Sequence, residues 1–426
     1  MIAVLRGILG LFALIAIGIL LSENRRAISP RVILSALALQ VAIGAVMLFA
    51  SLGRAALSAT AGAVDAVIGY GDKGMEFLFG GLVTPKMDAL FGDTGFIFAF
   101  RVLPAIIYVS ALLAVLYHLG VMRWIVTGLG VVFQKLIGVT QLESFSAVTT
   151  IFLGQSEMPV ALRPFVAQLR GPELFCIMTS GMAAVAGSTL AGYAGLGVRL
   201  EYLLAASMMA VPGGLLFAKI ICPTLEPAAA GSSAPYFEPE STTNVIEAAA
   251  AGAAVGLRVA VSVGAMLVAF IGLIALLNGV VGGIAARFGH PAVNLETLVG
   301  AAFAPLAWLI GVPWHDAGVA GNLIGQKLIL NEFVGYASLA PYLKAPAAVA
   351  AAGLTALEPK TIVIVSFALC GFANFSSIAI LAGGFGTIAP ELRASVARYG
   401  LRVVAAASLS NLASATIAGV MLSAGG

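Results

Sequence analysis

Gly154-Gln155-Ser156-Glu157-Met158-Pro159 stands at the centre of an otherwise apolar stretch, Glu143–Arg170, and its reading decides the fold. An amide, a hydroxyl and a carboxylate midway along a stretch of that length do not suit a span bathed in lipid, where no water is at hand to satisfy them. A segment that enters, turns at a polar tip and leaves on the same side is a re-entrant hairpin, and it needs protein or a water-filled cavity around it. A second such stretch, about 318–343, has Leu330-Asn331-Glu332-Phe333 at its centre. Each is followed by an apolar span that breaks midway. The first break is Gly181-Met182-Ala183-Ala184-Val185-Ala186-Gly187-Ser188-Thr189 and the second is Gly371-Phe372-Ala373-Asn374-Phe375-Ser376-Ser377. The order hairpin, broken helix, helix therefore occurs once in each half, the pattern that marks a solute site between inverted repeats.

The composition agrees with a membrane chain. Of 426 residues, 61% are hydrophobic and 10% charged, and the mean hydropathy is +1.06, far from the usage of soluble domains. The 50 glycines and 18 prolines fit helices that approach closely and are interrupted. A bilayer core takes about 20 apolar residues per helix. Eight stretches qualify: about 2–21, 32–52, 96–117, 173–198, 202–222, 259–285, 361–386 and 402–424. The expectation is an all-α polytopic membrane protein, a single unit over 1–426, with eight transmembrane helices, two re-entrant helical hairpins, and interfacial helices over 54–92 and 121–138. The first stretch is followed by Arg25 and Arg26 rather than by a cleavage site, so it reads as a retained helix. Arg25, Arg26 and Arg31 in one loop and Arg393, Arg398 and Arg402 in another place both loops in the cytoplasm and both termini outside. The proline-bearing segment 223–243 is the one evident linker, and the 223–254 loop carries Glu226, Glu238, Glu240 and Glu247 without Lys or Arg.

Several function classes fall away. The 22 Lys and Arg against 19 Asp and Glu are scattered, so no basic stripe exists for nucleic acid. Cys176, Cys222 and Cys370 form no CxxC pair, which suggests neither a disulfide framework nor a zinc site. Gly69-Tyr70-Gly71-Asp72 resembles a channel filter and a protease GxGD, but it lies among charges and has no partner aspartate in a neighbouring span. There is no HExxH, GxSxG or GxxxxGK[ST], so no enzyme and no ATP-driven pump is indicated. His315, beside Asp316, is the one histidine that suits a proton relay.

Glu157 and Glu332 carry the chemistry. An acid at the bilayer middle costs about 2.5–3.5 kcal/mol on insertion scales, so it asks for a partner, a proton or a ligand. Pairing with Lys327 or Arg163 to pin the hairpins is the purely structural alternative. Gln155, Ser156 and Glu157 together match the mixed donor and acceptor edge of a neutral heterocycle. Glu332, Asn374 and Ser377 suit vicinal hydroxyls, and Phe372 offers an apolar face to a ring. The breaks at 184–188 and 373–377 free backbone carbonyls that suit a cation.

With these motifs in this order, the chain resembles the concentrative nucleoside transporters, and among them the bacterial nucleoside permeases, from the first span to Gly426. The resemblance implies an elevator-type transporter in a homotrimer, with a transport domain sliding against a trimerising scaffold. The scaffold would be mainly 1–120 and about 255–312; the hairpin repeats of the transport domain would be 140–222 and 313–426. Base contacts would fall on Gln155, Ser156 and Glu157, with Thr189 and Phe372 nearby, and ribose contacts on Glu332, Asn374 and Ser377. Sodium-coupled members place an asparagine side chain, a serine side chain and two carbonyls around the ion. Those positions here are Thr150 and Ala184, with carbonyls from Leu153 and Val185. An amide oxygen has become a hydroxyl and a serine oxygen a methyl, so a hard cation loses much of its shell. A proton asks only for one buried carboxyl, Glu332 or Glu157. The expectation is a nucleoside symporter of the bacterial inner membrane that imports uridine and its like with protons, needing no metal or other cofactor. Sodium coupling and an uncoupled facilitator are the alternatives.

Overall fold

The computed structural model describes residues 2–84, 86–91, 95–166, 169–224, 242–290 and 293–425. Most of the 223–243 linker, with Glu226, Glu238 and Glu240, lies outside them. The described residues are helical, joined by turns, with no strand among them. The apolar first stretch forms α1 (Ile2–Leu20), and Pro30 opens α2 (Pro30–Leu48), as its fixed φ and missing N–H allow at a first turn. The two stretches expected to lie along the interface are also helical. They form α3 (Ser51–Gly69), α4 (Gly71–Phe79), α5 (Lys86–Phe91) and, after α6 (Phe98–Arg101) and α7 (Leu103–His118), α8 (Val121–Ile137). Gly120 and Gly138, at φ 78° and 83°, bound α8 in the left-handed conformation that costs glycine no steric strain.

The first hairpin is α9 (Gln141–Thr149), a tip over 150–157, and the short returns α10 (Met158–Ala161) and α11 (Arg163–Val166). Thr140 and Glu143 close a reciprocal capping box at its start. The buried Glu143 then binds Lys219 Nζ at 2.6 Å, which fastens this arm to the end of a later helix. The broken span follows as α12 (Gly171–Ala183) and α13 (Gly187–Gly195), then α14 (Leu200–Ile221).

Asn244 caps the long α15 (Val245–Arg287), whose 43 residues start well before the expected span at 259. At 1.5 Å per residue it is about 65 Å long, twice a bilayer core. The expectation stopped short because Glu247 and Arg258 interrupt the apolar run, whereas a helix needs only its cap and propensity to continue. α16 (Leu295–Leu309) and α17 (Trp314–Ile329) meet at a 114° bend around Gly311 and Pro313. α17 descends to the second tip, and Asn331 caps the return, α18 (Glu332–Leu339), by accepting Val334 N–H at 2.9 Å. After α19 (Pro346–Ala351), the second broken span is α20 (Pro359–Leu369) and α21 (Ser376–Ile388), and α22 (Arg393–Gly425) ends the described chain.

All eight expected spans are helical, and both predicted breaks fall within broken ones. Among the described residues six helices are long and apolar enough to cross a membrane, or seven with the α16–α17 pair as one; α1, α20 and α21 are shorter. The broken α12–α13 span, α14 and α22 are almost wholly buried, while α2 and α15 turn most of their surface outward. α22 touches α1, α2, α12, α14, α20 and α21, and so forms the spine. α7 and α15 form a separate close pair. There Gly252 and Gly256, spaced as GxxxG, sit so near α7 that a Cβ would lie 2.7 Å from Ser110 O and Ile107 Cα respectively.

Candidate functional site

The two hairpin tips and the two breaks converge. Gln155, at the first tip, is buried and donates through Nε2 to Ser377 Oγ at 2.7 Å, at the start of α21. Residues 222 positions apart, predicted to touch the two ends of a ligand, thus touch each other. Gln155 Oε1 is buried with no partner among the described residues, an acceptor left open on the same side chain. Asn374 does two things from the second break. Its Oδ1 accepts Ser377 N–H at 2.9 Å and Ser376 Oγ at 2.7 Å, which orders the first turn of α21, and its Nδ2 donates to Glu332 Oε2 at 3.1 Å.

Glu332, 4% exposed, is held at its other oxygen by Tyr193 O–H at 3.1 Å. The carboxylate is therefore aimed by α13 and the second break together. Phe372 is buried, and its N–H bonds Ala184 O at 3.3 Å, which ties the second break to the first. Gln155, Glu332, Asn374 and Ser377 form the polar network and Phe372 lies beside it. Two predicted residues stand apart: Ser156 is exposed and Glu157 half-buried. Thr189 is buried; its hydroxyl bonds Ala186 O at 2.7 Å, at the start of its own helix, and also the phenol of Tyr193 one turn on, which joins it to the network.

At the expected ion positions, Thr150 is 1% exposed and donates to Ala147 O at 2.8 Å, with Ser180 O at 3.4 Å. Leu153, Ala184 and Val185 lie in non-helical backbone. No group of three or more His, Cys, Asp or Glu able to hold a metal occurs among the described residues.

Of the two cations expected as alternative partners for the glutamates, Arg163 is exposed, while Lys327 hydrogen-bonds Ala368 O at 2.9 Å and Asn411 Oδ1 at 2.6 Å and attracts Glu332 through its charge without a direct bond. The cation that Glu157 feels is Arg258. His315 belongs to another cluster. Its Nε2 lies 3.1 Å from Glu358 Oε1 and 3.6 Å from Asp316 Oδ1, and Asp316 accepts Thr361 Oγ1 at 2.6 Å and Glu358 N–H at 3.0 Å. This cluster clamps the start of α17 to the start of α20, about 20 Å along the helix from the tip, so it is no relay to the site.

Tyr193 and Asn411 are the partners that reading the sequence missed, and Lys327 was read only as a candidate pair for a glutamate. Tyr193 and Asn411 each sit in an apolar helix away from a motif. The one available signal was a polar side chain four residues beyond Thr189 or deep in the last span.

Three family models match the chain: Na+ dependent nucleoside transporter N-terminus over residues 9–82, nucleoside recognition over 99–199, and Na+ dependent nucleoside transporter C-terminus over 202–419. The putative nucleoside permease NupX of Escherichia coli is 49% identical over 98% of this chain and 99% of its own. Nucleoside permease NupC of Helicobacter pylori is 43% identical over 97% of both. The structure of CNTnw in an inward-facing, substrate-bound state superposes with a TM-score of 0.92 at 48% identity, over 99% of this chain and 100% of that one. Matched along nearly its whole length, with tips and breaks converging as such a carrier requires, the chain belongs to the concentrative, Na+-dependent family of nucleoside transporters and is a transporter, not an enzyme.

Proposed function

We propose that the protein is a symporter of the bacterial inner membrane that imports nucleosides such as uridine with protons. The observation that carries the nucleoside reading is the convergence of Gln155, Glu332, Asn374 and Ser377 from both halves of the chain. Amide and hydroxyl groups on one side face a carboxylate held by Tyr193 and Asn374 on the other. A nucleoside has a heterocycle with donors and acceptors at one end and vicinal hydroxyls at the other, and it would bridge them. Ser156, Glu157, Thr189 and Phe372 would complete the base side.

Support for protons over sodium comes from Thr150 and Ala184. The Thr150 hydroxyl is engaged with Ala147 O and Ala184 offers only a methyl, so the carbonyls of Leu153 and Val185 would face a cation with little help from side chains. Glu332 is the proton carrier in this reading, with Glu157 as its understudy. The moving body would be 140–222 with 313–426, and the stationary one mainly 1–120 and 255–312, assembled as a homotrimer. α1 and α2 lie against α14 and α22, so part of the sliding contact would run along them.

Uptake of labelled uridine into proteoliposomes tests this under an imposed proton gradient, an imposed sodium gradient, and neither. Accumulation with protons alone is expected. Accumulation with sodium alone would overturn proton coupling, and equilibration without accumulation would leave a facilitator. Glu332→Gln should abolish proton-driven accumulation, and retention would move the role to Glu157.

A further inference from the structure

At the C-terminal end of each broken half-helix, backbone carbonyls lose their helical partners, and the helix dipole adds its negative pole there. The described structure fills these positions with side chains. Asn411, 2% exposed on α22, donates through Nδ2 to Ala183 O at 2.6 Å, at the end of α12, and to Cys370 O at 3.0 Å, just past α20. Its Oδ1 accepts Lys327 Nζ at 2.6 Å, and the same ammonium binds Ala368 O at 2.9 Å. A Cβ at Gly371 would run into Asn411 and into Ala183 O at 2.7 Å, so the backbone at the second break is drawn tight around this group.

Two features set Lys327 apart from a simple strut. It is 3% exposed, and its two hydrogen-bond partners are neutral; the one carboxylate whose charge it feels, Glu332, makes no hydrogen bond to it and is held instead by Tyr193 and Asn374. A buried charge is costly unless the charge itself is used, and a neutral amide could make comparable bonds to a carbonyl and an amide oxygen without that cost. Its place is also repeated. Lys327 stands five residues before Glu332 at the second tip, as Thr150 stands five before Gln155 at the first, and Thr150 Oγ1 likewise faces backbone near the end of the following half-helix, at Ser180 O.

We propose that the Lys327 ammonium is a tethered cation occupying the helix-break position of the second repeat, so that this half of the carrier takes no mobile ion there. Asn411 completes the shell and couples it to the first break. The two breaks then share one ionic hub and travel as one body.

The test is counterflow of labelled uridine in proteoliposomes preloaded with unlabelled uridine. It needs no ion gradient, so its outcome is independent of which ion drives the wild type. Lys327→Ala leaves a cation-sized space. Its exchange rate should fall at least tenfold and recover several-fold, saturably, with added methylammonium, to which the wild type is indifferent. Lys327→Gln keeps donors and removes the charge, so it should also be slow and should not recover. Wild-type exchange by Lys327→Gln would overturn the proposal and leave Lys327 a strut. So would a Lys327→Ala protein that retains nucleoside binding yet answers to none of methylammonium, ammonium, sodium or potassium.

Discussion

Tyr193 shows how much of the site rests on a residue outside any motif. Its phenol is buried between Phe333 and Tyr336, with ring centroids at 4.7 and 4.6 Å, and its hydroxyl is fixed on Glu332. Tyr193→Phe removes one hydrogen bond to a carboxylate and leaves the packing intact. Such bonds contribute about 1.5–3 kcal/mol, so uridine affinity should weaken by about tenfold or more, as read by isothermal titration. An unchanged affinity would mean that Asn374 alone aims the carboxylate. At this scale the sequence revealed the polar groups at tips and breaks, because a carboxylate, an amide or a hydroxyl in an apolar stretch stands out. It did not reveal Tyr193 or Asn411. A tyrosine in a membrane helix looks like packing, and one asparagine among small residues looks like a lapse in hydropathy until its neighbours in space are known. Thr189 was legible as a polar group beside the break, but its bonds to Ala186 O and to the Tyr193 phenol were not, since both depend on the turn of helix it starts.

Elements were legible where composition changes sharply. The hairpins and breaks fall where polar residues interrupt apolar runs, and the capping box at Thr140 and Glu143 starts the first arm as its residues suggest. The length of α15 was not legible, since hydropathy marks the lipid-crossing part of a helix and says nothing of where its hydrogen bonding stops. The α7–α15 pair is held by approach rather than by polar contact. Gly256→Leu would drive a side chain into Ile107 and Ser110, and overpacking of this kind costs about 1–3 kcal/mol. Thermal unfolding of the purified protein should show a lower midpoint for Gly256→Leu and a smaller loss for Gly256→Ala. Equal midpoints for wild type and Gly256→Leu would show that the two helices separate freely.

The whole molecule has a buried centre of α12, α13, α14 and α22, with α2 and α15 facing outward. Val268, Leu276 and Ile284 on α15 are more than half exposed, an apolar face that lipid or neighbouring subunits would cover. The proposed homotrimer should appear in native mass spectrometry at three times the 43.2 kDa of one chain. A single-chain mass under conditions that retain uridine exchange would refute it. Twofold internal repetition was readable at this scale because the order of elements recurs. The hub of Lys327 and Asn411 was not, since it joins residues of four separate elements, α12, α17, α20 and α22, that no periodicity relates.

The bond between Gln155 and Ser377 bears on the unloaded half of the cycle. A carrier that has released its cargo must reorient empty before it works again, and bare polar groups would then have to be dragged through a dry passage or kept hydrated. By closing on each other, these two side chains satisfy part of the vacated pocket. The arriving solute exchanges a bond already made, so those contacts reward the right shape more than they add grip, and the vehicle is left light enough to come back unaccompanied.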